Sequence, residues 1–124
     1  MNIFIDNRSD TPIYDQIYRR MRELILCGEI AENEALPSIR ALARDLRISV
    51  ITTKRAYDEL EREGYIYTVA GKGSYAARQN KELLRERSLV EIEEHLRQIR
   101  TLAAECGLTK EDVRAMSELM WEET

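Results

Sequence analysis

Histidine and cysteine are nearly missing from this sequence, which has one His, His95, and two Cys, Cys27 and Cys106. The cysteines form no C-x-x-C pair and have no clustered histidines, so a Cys/His metal site lacks ligands. Both are expected to be small apolar packing residues. A lone His, expected on the exposed side of its helix, completes no Ser/His/Asp or Cys/His constellation, and neither an enzyme activity nor a cofactor is expected. Proline and glycine are scarce too, at two and five residues, too few for the many connections of a β-sandwich or barrel. Helix should dominate. No apolar run approaches the roughly 18 residues of a membrane span. The start Met1-Asn2-Ile3-Phe4-Ile5-Asp6 lacks the basic opening and apolar block of a secretory signal. A cytoplasmic protein with no membrane partner is expected.

Of the 124 residues, 44% are hydrophobic and 34% charged, too apolar for a disordered chain and too charged for a membrane protein. The length suits one domain and excludes a two-lobed enzyme. The net charge of -4, taken whole, opposes a nucleic-acid partner, which must be met with positive charge. Its distribution reverses that conclusion. Residues 1–35 carry four Lys/Arg against seven Asp/Glu, residues 36–78 eight against five, and residues 79–124 seven against eleven. The three segments sum to -3, +3 and -4, so the middle is the basic part.

Thr11-Pro12-Ile13 opens a first helix, with Thr11 the expected N-cap and Pro12 at the first helical position, where its missing N–H costs nothing. Ile13, Ile17, Met21, Leu24 and Ile25 recur at helical spacing, and Gly28 can end the helix in a left-handed conformation. A polar connection, Glu29 to Ala35, leads to Ser38, the expected N-cap of a second helix with the apolar set Ile39, Leu42, Ala43 and Leu46. Only Arg47 and Ile48 separate it from a third helix, capped by Ser49, with Thr53, Ala56, Tyr57 and Leu60 at core spacing and Gly64 as its stop. So short a turn makes a helix-turn-helix, over about residues 39–63. Tyr65-Ile66-Tyr67-Thr68-Val69 and Ser74-Tyr75-Ala76-Ala77 bracket Ala70-Gly71-Lys72-Gly73, a hairpin with a glycine-rich tip over about residues 65–77. The expected fold is mainly α with a small β-hairpin: a winged helix-turn-helix domain over residues 1–78, then a helical tail over residues 79–124. In the tail Leu89, Ile92, Leu96, Ile99, Ala103 and Cys106 alternate steps of three and four, keeping one seam toward a partner, and Gly107 ends the helix. Thr109 and Asp112 stand as N-cap and N3 of a last helix carrying Val113, Met116 and Met120.

In a helix-turn-helix the first helix crosses the DNA backbone and the N-terminal turns of the second enter the major groove. Val50, Ile51, Thr52, Lys54 and Arg55 fall outside the core set of the third helix and can face a groove. Thr52 can bond a base edge or phosphate, Lys54 can reach guanine or phosphate oxygens, and Val50 and Ile51 can touch a thymine methyl. Ser38 and Arg40 stand where backbone N–H groups, a hydroxyl and a guanidinium converge on phosphate. Lys72 lies between Gly71 and Gly73, which let the backbone approach the duplex while Lys72 enters the minor groove or holds phosphate. Asp58, Glu59, Glu61 and Glu63 occupy the far half of the third helix, away from the reading end. A second reading stays open: Arg40, Arg44, Arg47, Lys54 and Arg55 as solvated surface charges, Ser38 and Ser49 as plain N-caps, Gly71 and Gly73 as turn formers. The grouping of the cations in one segment favours the first.

Three stretches now combine: Leu36-Pro37-Ser38-Ile39-Arg40-Ala41-Leu42-Ala43-Arg44-Asp45-Leu46, then Ser49-Val50-Ile51-Thr52-Thr53-Lys54-Arg55-Ala56-Tyr57-Asp58-Glu59-Leu60-Glu61-Arg62-Glu63-Gly64-Tyr65-Ile66, then Gly71-Lys72-Gly73-Ser74-Tyr75. Together with Pro12-Ile13-Tyr14-Asp15-Gln16-Ile17 and Gly28-Glu29-Ile30 they closely resemble the GntR family of bacterial transcription regulators, over roughly residues 9–78. The short two-helix tail looks like the YtrA subfamily, whose members often regulate ABC-transporter operons. By that resemblance Arg40 matches the arginine that contacts DNA from the second helix, and Thr52 a threonine of the reading helix. Lys54 takes a position of basic contacts, and Lys72 and Gly73 match the wing tip. Val50 departs from the base-reading Arg or polar residue of some relatives. Arg47 replaces the usual glycine of the turn, where a left-handed conformation would cost an Arg roughly 1 kcal/mol or more. Asn33-Glu34 replaces a Pro-Gly-like loop, and Asn tolerates left-handed dihedrals.

Larger relatives carry an effector-binding or aminotransferase-like domain after the winged helix, whereas 46 residues follow here. Two helices cannot enclose a ligand pocket of ~300–1,000 Å³ without a second subunit, and no effector is assigned. The seam Leu89, Ile92, Leu96, Ile99 is expected both to pack on the chain's own Val113, Met116, Leu119, Met120 face and to pair two chains, with Met120 and Trp121 at the interface. A two-fold dimer sets two reading helices ~34 Å apart on a palindromic operator. The function expected is a sequence-specific DNA-binding regulator, a homodimeric repressor acting on double-stranded DNA. The alternative is a winged-helix protein-interaction adaptor without DNA binding.

Overall fold

A computed structural model describes residues 2–123; Met1 and Thr124 lie outside the described residues. The elements are α1 (Ile13–Leu26), α2 (Ile39–Leu46), α3 (Val50–Arg62), β1 (Ile66–Val69), β2 (Gly73–Ala76), α4 (Lys81–Glu105) and α5 (Lys110–Glu122). They divide into two compact units, residues 1–79 and 80–124. Among the described residues no helix is long and apolar enough to cross a membrane.

In the first unit α1 and α2 both pack on α3. Each helix contributes an apolar stripe: Ile17, Met21, Leu24 and Ile25 from α1, Leu42 and Ala43 from α2, Ala56, Tyr57 and Leu60 from α3, with Ile66 and Ala76 of the hairpin closing the core. Ile13, expected on the inner face, is instead exposed in the first turn of α1. Thr53 is buried, and its hydroxyl donates to the Ser49 carbonyl at 3.0 Å, which offsets the cost of burying a polar group.

The caps of α2 and α3 are the serines. Ser38 Oγ accepts from the Ala41 N–H and Ser49 Oγ from the Thr52 N–H, both at 3.0 Å. Thr11 does not cap α1, which starts after Pro12 with no side-chain cap. The Gln16 amide works there instead, donating to the Thr11 and Asp6 carbonyls and accepting from the Asp6 N–H. Arg47 ends α2 at φ +57, with the Ile48 N–H returning to the Ala43 carbonyl at 3.0 Å, the closure usually given to glycine. Asn33 is left-handed too, at φ +65.

The hairpin pairs Ile66 with Ala76 and Val69 with Gly73, antiparallel. The connection before α2, expected to be a plain polar link, joins it. Ala35 bridges Tyr75, the Asn33 N–H donates to the Ala76 carbonyl at 2.8 Å, and the Leu36 N–H donates to the Ser74 carbonyl at 2.9 Å.

In the second unit Asn80 caps α4, and Gly107 closes it at φ +74. The capping box of α5 is complete: Thr109 Oγ1 accepts from the Asp112 N–H at 3.1 Å, and the Asp112 carboxylate accepts from the Thr109 N–H at 2.9 Å. That backbone bond, with the Thr109 hydroxyl, holds the Asp112 carboxyl below its ordinary range. The two helices do not pack along their lengths, and neither has a buried residue among those described. The expected closure of one seam within the chain is therefore corrected. The short connection is taken up by the helix stop and the capping box, and of the two apolar faces only Ala103 and Val113, near the turn, are half-buried. The cysteine expectation is corrected as well: Cys27 and Cys106 are both exposed. Each stands at the C-cap of its helix, beyond the last buried position or at an uncovered end.

Candidate nucleic-acid interface

The burial pattern of α3 divides it into two faces. Thr53, Ala56, Tyr57 and Leu60 are buried, while Val50, Ile51, Lys54, Arg55 and Asp58 are exposed. Ile51 is the extreme case at 80% exposure, an apolar side chain that the fold itself does not use. Ser49 organises the first turn. Besides capping, its hydroxyl donates to Thr52 Oγ1 at 2.8 Å, which fixes the Thr52 side chain and leaves the Thr52 O–H to donate outward.

The two cations of this turn are held differently. Lys54 Nζ lies 2.7 Å from the Asp58 carboxylate, so Asp58, expected to stay away from the reading end, reaches back one turn to it. An exposed i,i+4 pair is worth about 0.3–0.5 kcal/mol, small enough for Lys54 to exchange Asp58 for a phosphate or a base. The Arg55 guanidinium instead sits 3.8 Å over the Tyr14 ring of α1.

Before α2, the buried Tyr57 hydroxyl donates to the Pro37 carbonyl at 2.6 Å, and burial pushes that phenol above its ordinary pKa. The bond ties the approach to Ser38 onto α3. Arg40, exposed in the first turn of α2, has no ion-pair partner among the described residues.

The wing is braced from both sides. Tyr67 and Tyr75 stack with ring centres 5.5 Å apart, and the Tyr67 hydroxyl donates to Asn33 Oδ1 at 2.8 Å. Thr68 Oγ1 lies 3.1 Å from Ser74 Oγ and donates to Glu61 at 3.3 Å, so this carboxylate of α3 serves the wing. At the tip the Lys72 N–H closes a turn onto the Val69 carbonyl at 2.9 Å, with Gly71 at φ +77 and Gly73 at φ +117. An L-side chain would be strained at either glycine, and Lys72 is left exposed at the end.

Residues 13–75, spanning α1 to the wing, match the bacterial regulatory proteins of the gntR family. The chain belongs to the GntR family. It is 44% identical over 97 residues to the HTH-type transcriptional repressor YtrA of Bacillus subtilis (strain 168), covering 78% of this chain and 75% of that one. YtrA from Sulfolobus acidocaldarius, a solved structure, superposes with a TM-score of 0.61 at 38% identity, covering 76% of this chain and 96% of that one. A transcriptional antiterminator from Listeria monocytogenes EGD-e does so with a TM-score of 0.70 at 30% identity, over 97% and 90%. Against the longer regulators YdeL and YhdI of Bacillus subtilis the chain spans only 16% of their length.

The GntR head thus has a regulator's fold, and its relatives are not enzymes. The tail residues Leu89, Ile92, Leu96 and Ile99 on α4, and Met116, Met120 and Trp121 on α5, are all exposed within the single chain. His95 is exposed with Nε2 3.7 Å from Glu91. Asp58 as the partner of Lys54, Tyr14 as the platform of Arg55, and Asn33 as a brace of the wing are not among the residues expected from the sequence. The i,i+4 spacing of Lys54 and Asp58 was the one signal that could have been used.

Proposed function

We propose that this GntR-family chain is a cytoplasmic, homodimeric transcriptional repressor that binds a palindromic double-stranded operator, that of an ABC-transporter operon as the YtrA likeness implies. The observation that carries the DNA reading is the outward face of the first turns of α3, where Val50, Ile51, Lys54 and Arg55 are exposed opposite a fully buried stripe. Thr52 with its fixed hydroxyl, Ser38 and Arg40 at the start of α2, Ser49 at the start of α3, and Lys72 with Gly73 at the wing tip complete the proposed surface. YtrA of Bacillus subtilis, 44% identical, carries the name of a repressor, which supports the sense of regulation.

Dimerisation is supported by the tail. A seam at alternating steps of three and four, uncovered in the single chain, is what a second helix would bury. Footprinting the purified chain on the DNA upstream of its own gene tests the reading. Protection of a two-fold symmetric site is expected, and Arg40→Ala and Lys54→Ala should each weaken binding by about 1–3 kcal/mol without lowering the melting temperature. No protection on any such duplex, or unchanged affinity in both variants, would reject it.

A further inference from the structure

Arg55 lies on the face of α3 turned away from the core, one turn after Ile51, and its guanidinium is 3.8 Å from the Tyr14 ring centre. Among the described residues no carboxylate forms an ion pair with it, whereas its neighbour Lys54 is held by Asp58 at 2.7 Å. The stacked cation is therefore the one on this turn whose charge is not neutralised within the fold. Stacking engages the flat face of a guanidinium and leaves its in-plane N–H donors for an anion. Pinning the side chain beforehand also removes part of the rotamer entropy that a free Arg loses on binding. Because α1 packs on the inner side of α3, a guanidinium drawn toward Tyr14 sits at the flank of the reading helix, where the sugar-phosphate backbone borders the groove.

We infer that Tyr14 is a positioning residue that holds Arg55 for a backbone phosphate of the duplex, making the first turn of α1 part of the DNA-binding surface. The inference rests on the DNA-binding reading above. A phosphate contact carries no sequence information, so this pair should contribute equally on every duplex, unlike Val50, Ile51 and Thr52.

The test is binding by the full chain to a duplex selected from a randomised pool with wild-type protein, and to an unselected duplex, over a range of salt. Arg55→Ala should weaken both and reduce the slope of log affinity against log salt by about 0.9. Tyr14→Phe, which keeps the ring, should bind as wild type. Tyr14→Leu should weaken binding roughly two- to fivefold, with no further loss when added to Arg55→Ala. An unchanged salt slope in Arg55→Ala, while Lys54→Ala still weakens binding, overturns the inference and leaves the DNA reading standing. Equal losses from Tyr14→Leu with and without Arg55 also overturn it, since Tyr14 would then act through the fold. A wild-type chain that recovers no duplex from the pool overturns both.

Discussion

Replacing Arg47 with glycine should stabilise the chain, against the usual direction of substitutions. Arg47 ends α2 at φ +57 and ψ +46, where the Cβ of an L-residue crowds the following carbonyl at a cost of roughly 1–2 kcal/mol. Glycine removes that crowding but loses more conformational freedom on folding, roughly 0.5–1 kcal/mol. The two bonds that close the turn, Arg47 N–H to the Arg44 carbonyl at 3.2 Å and Ile48 N–H to the Ala43 carbonyl at 3.0 Å, are backbone bonds and survive the change. No ion pair of Arg47 is lost among the described residues. The balance favours glycine by about 0.5–1 kcal/mol. For a unit of 79 residues this amounts to a rise of about 2–8 °C in melting temperature, measured at fixed protein concentration. Arg47→Ala keeps the Cβ and should show no gain. Equal melting temperatures for Arg47→Gly and Arg47→Ala would refute the strain argument, because the two variants lose the same charge and differ in the Cβ.

Tyr57→Phe leaves the Pro37 carbonyl without its 2.6 Å donor and should cost about 1–3 kcal/mol in urea unfolding. Since burial raises the Tyr57 phenol, the unfolded chain ionises first; the stability tied to this group is intact below about pH 10 and falls as pH rises beyond it. Melting curves taken through that range should therefore fall less steeply in Tyr57→Phe than in wild type. Ser49→Ala removes the cap of α3 and the bond that fixes Thr52, so a loss of about 1 kcal/mol in stability should come with weaker duplex binding in a titration. Leu96→Glu sets a carboxylate in the exposed seam of α4; under the proposed dimerisation, sedimentation equilibrium should find the wild type dimeric and this variant monomeric, and a variant that stays dimeric would remove the seam from the proposed interface.

The helices of the head were legible because caps, stops and apolar spacing agree at four of the six boundaries: Ser38, Ser49, Gly28 and Gly64 stand where the elements begin or end. Residue type alone points to Thr11 as a cap, whereas the Gln16 amide, ten residues from Asp6 in sequence, satisfies the segment before α1. Residues 33–36 gave no strand signal, since a bridge made through the backbone needs no side-chain alternation. The tail misled differently. A seam at steps of three and four shows that a helix has a partner face but not whose helix fills it, and α4 and α5 leave it open. The site was legible as a set of positions on α3 and at the wing tip. Its internal wiring was not, because contacts such as Arg55 on Tyr14 join residues far apart in the chain.

That wiring bears on how the proposed surface would divide affinity from specificity. At the reading turn Val50 and Ile51 offer apolar contact, Thr52 one hydroxyl, and Lys54 arrives already paired with Asp58. Apolar side chains discriminate through thymine methyl groups and gain little from a mismatched step, while a paired lysine adds little to attraction at a distance. The net charge of -4 comes from the flanking segments, while residues 36–78 sum to +3, so the local field at the proposed surface still favours a duplex. Among the described residues, the cations of the proposed surface that form no ion pair, Arg40 on α2, Arg55 on α3 and Lys72 at the wing tip, come from three separate parts of the head. A duplex lying against the proposed surface would meet all three at once, whatever its sequence. On the proposed surface these cations would therefore supply affinity on any duplex, and selectivity would fall to the turn carrying Val50, Ile51 and Thr52.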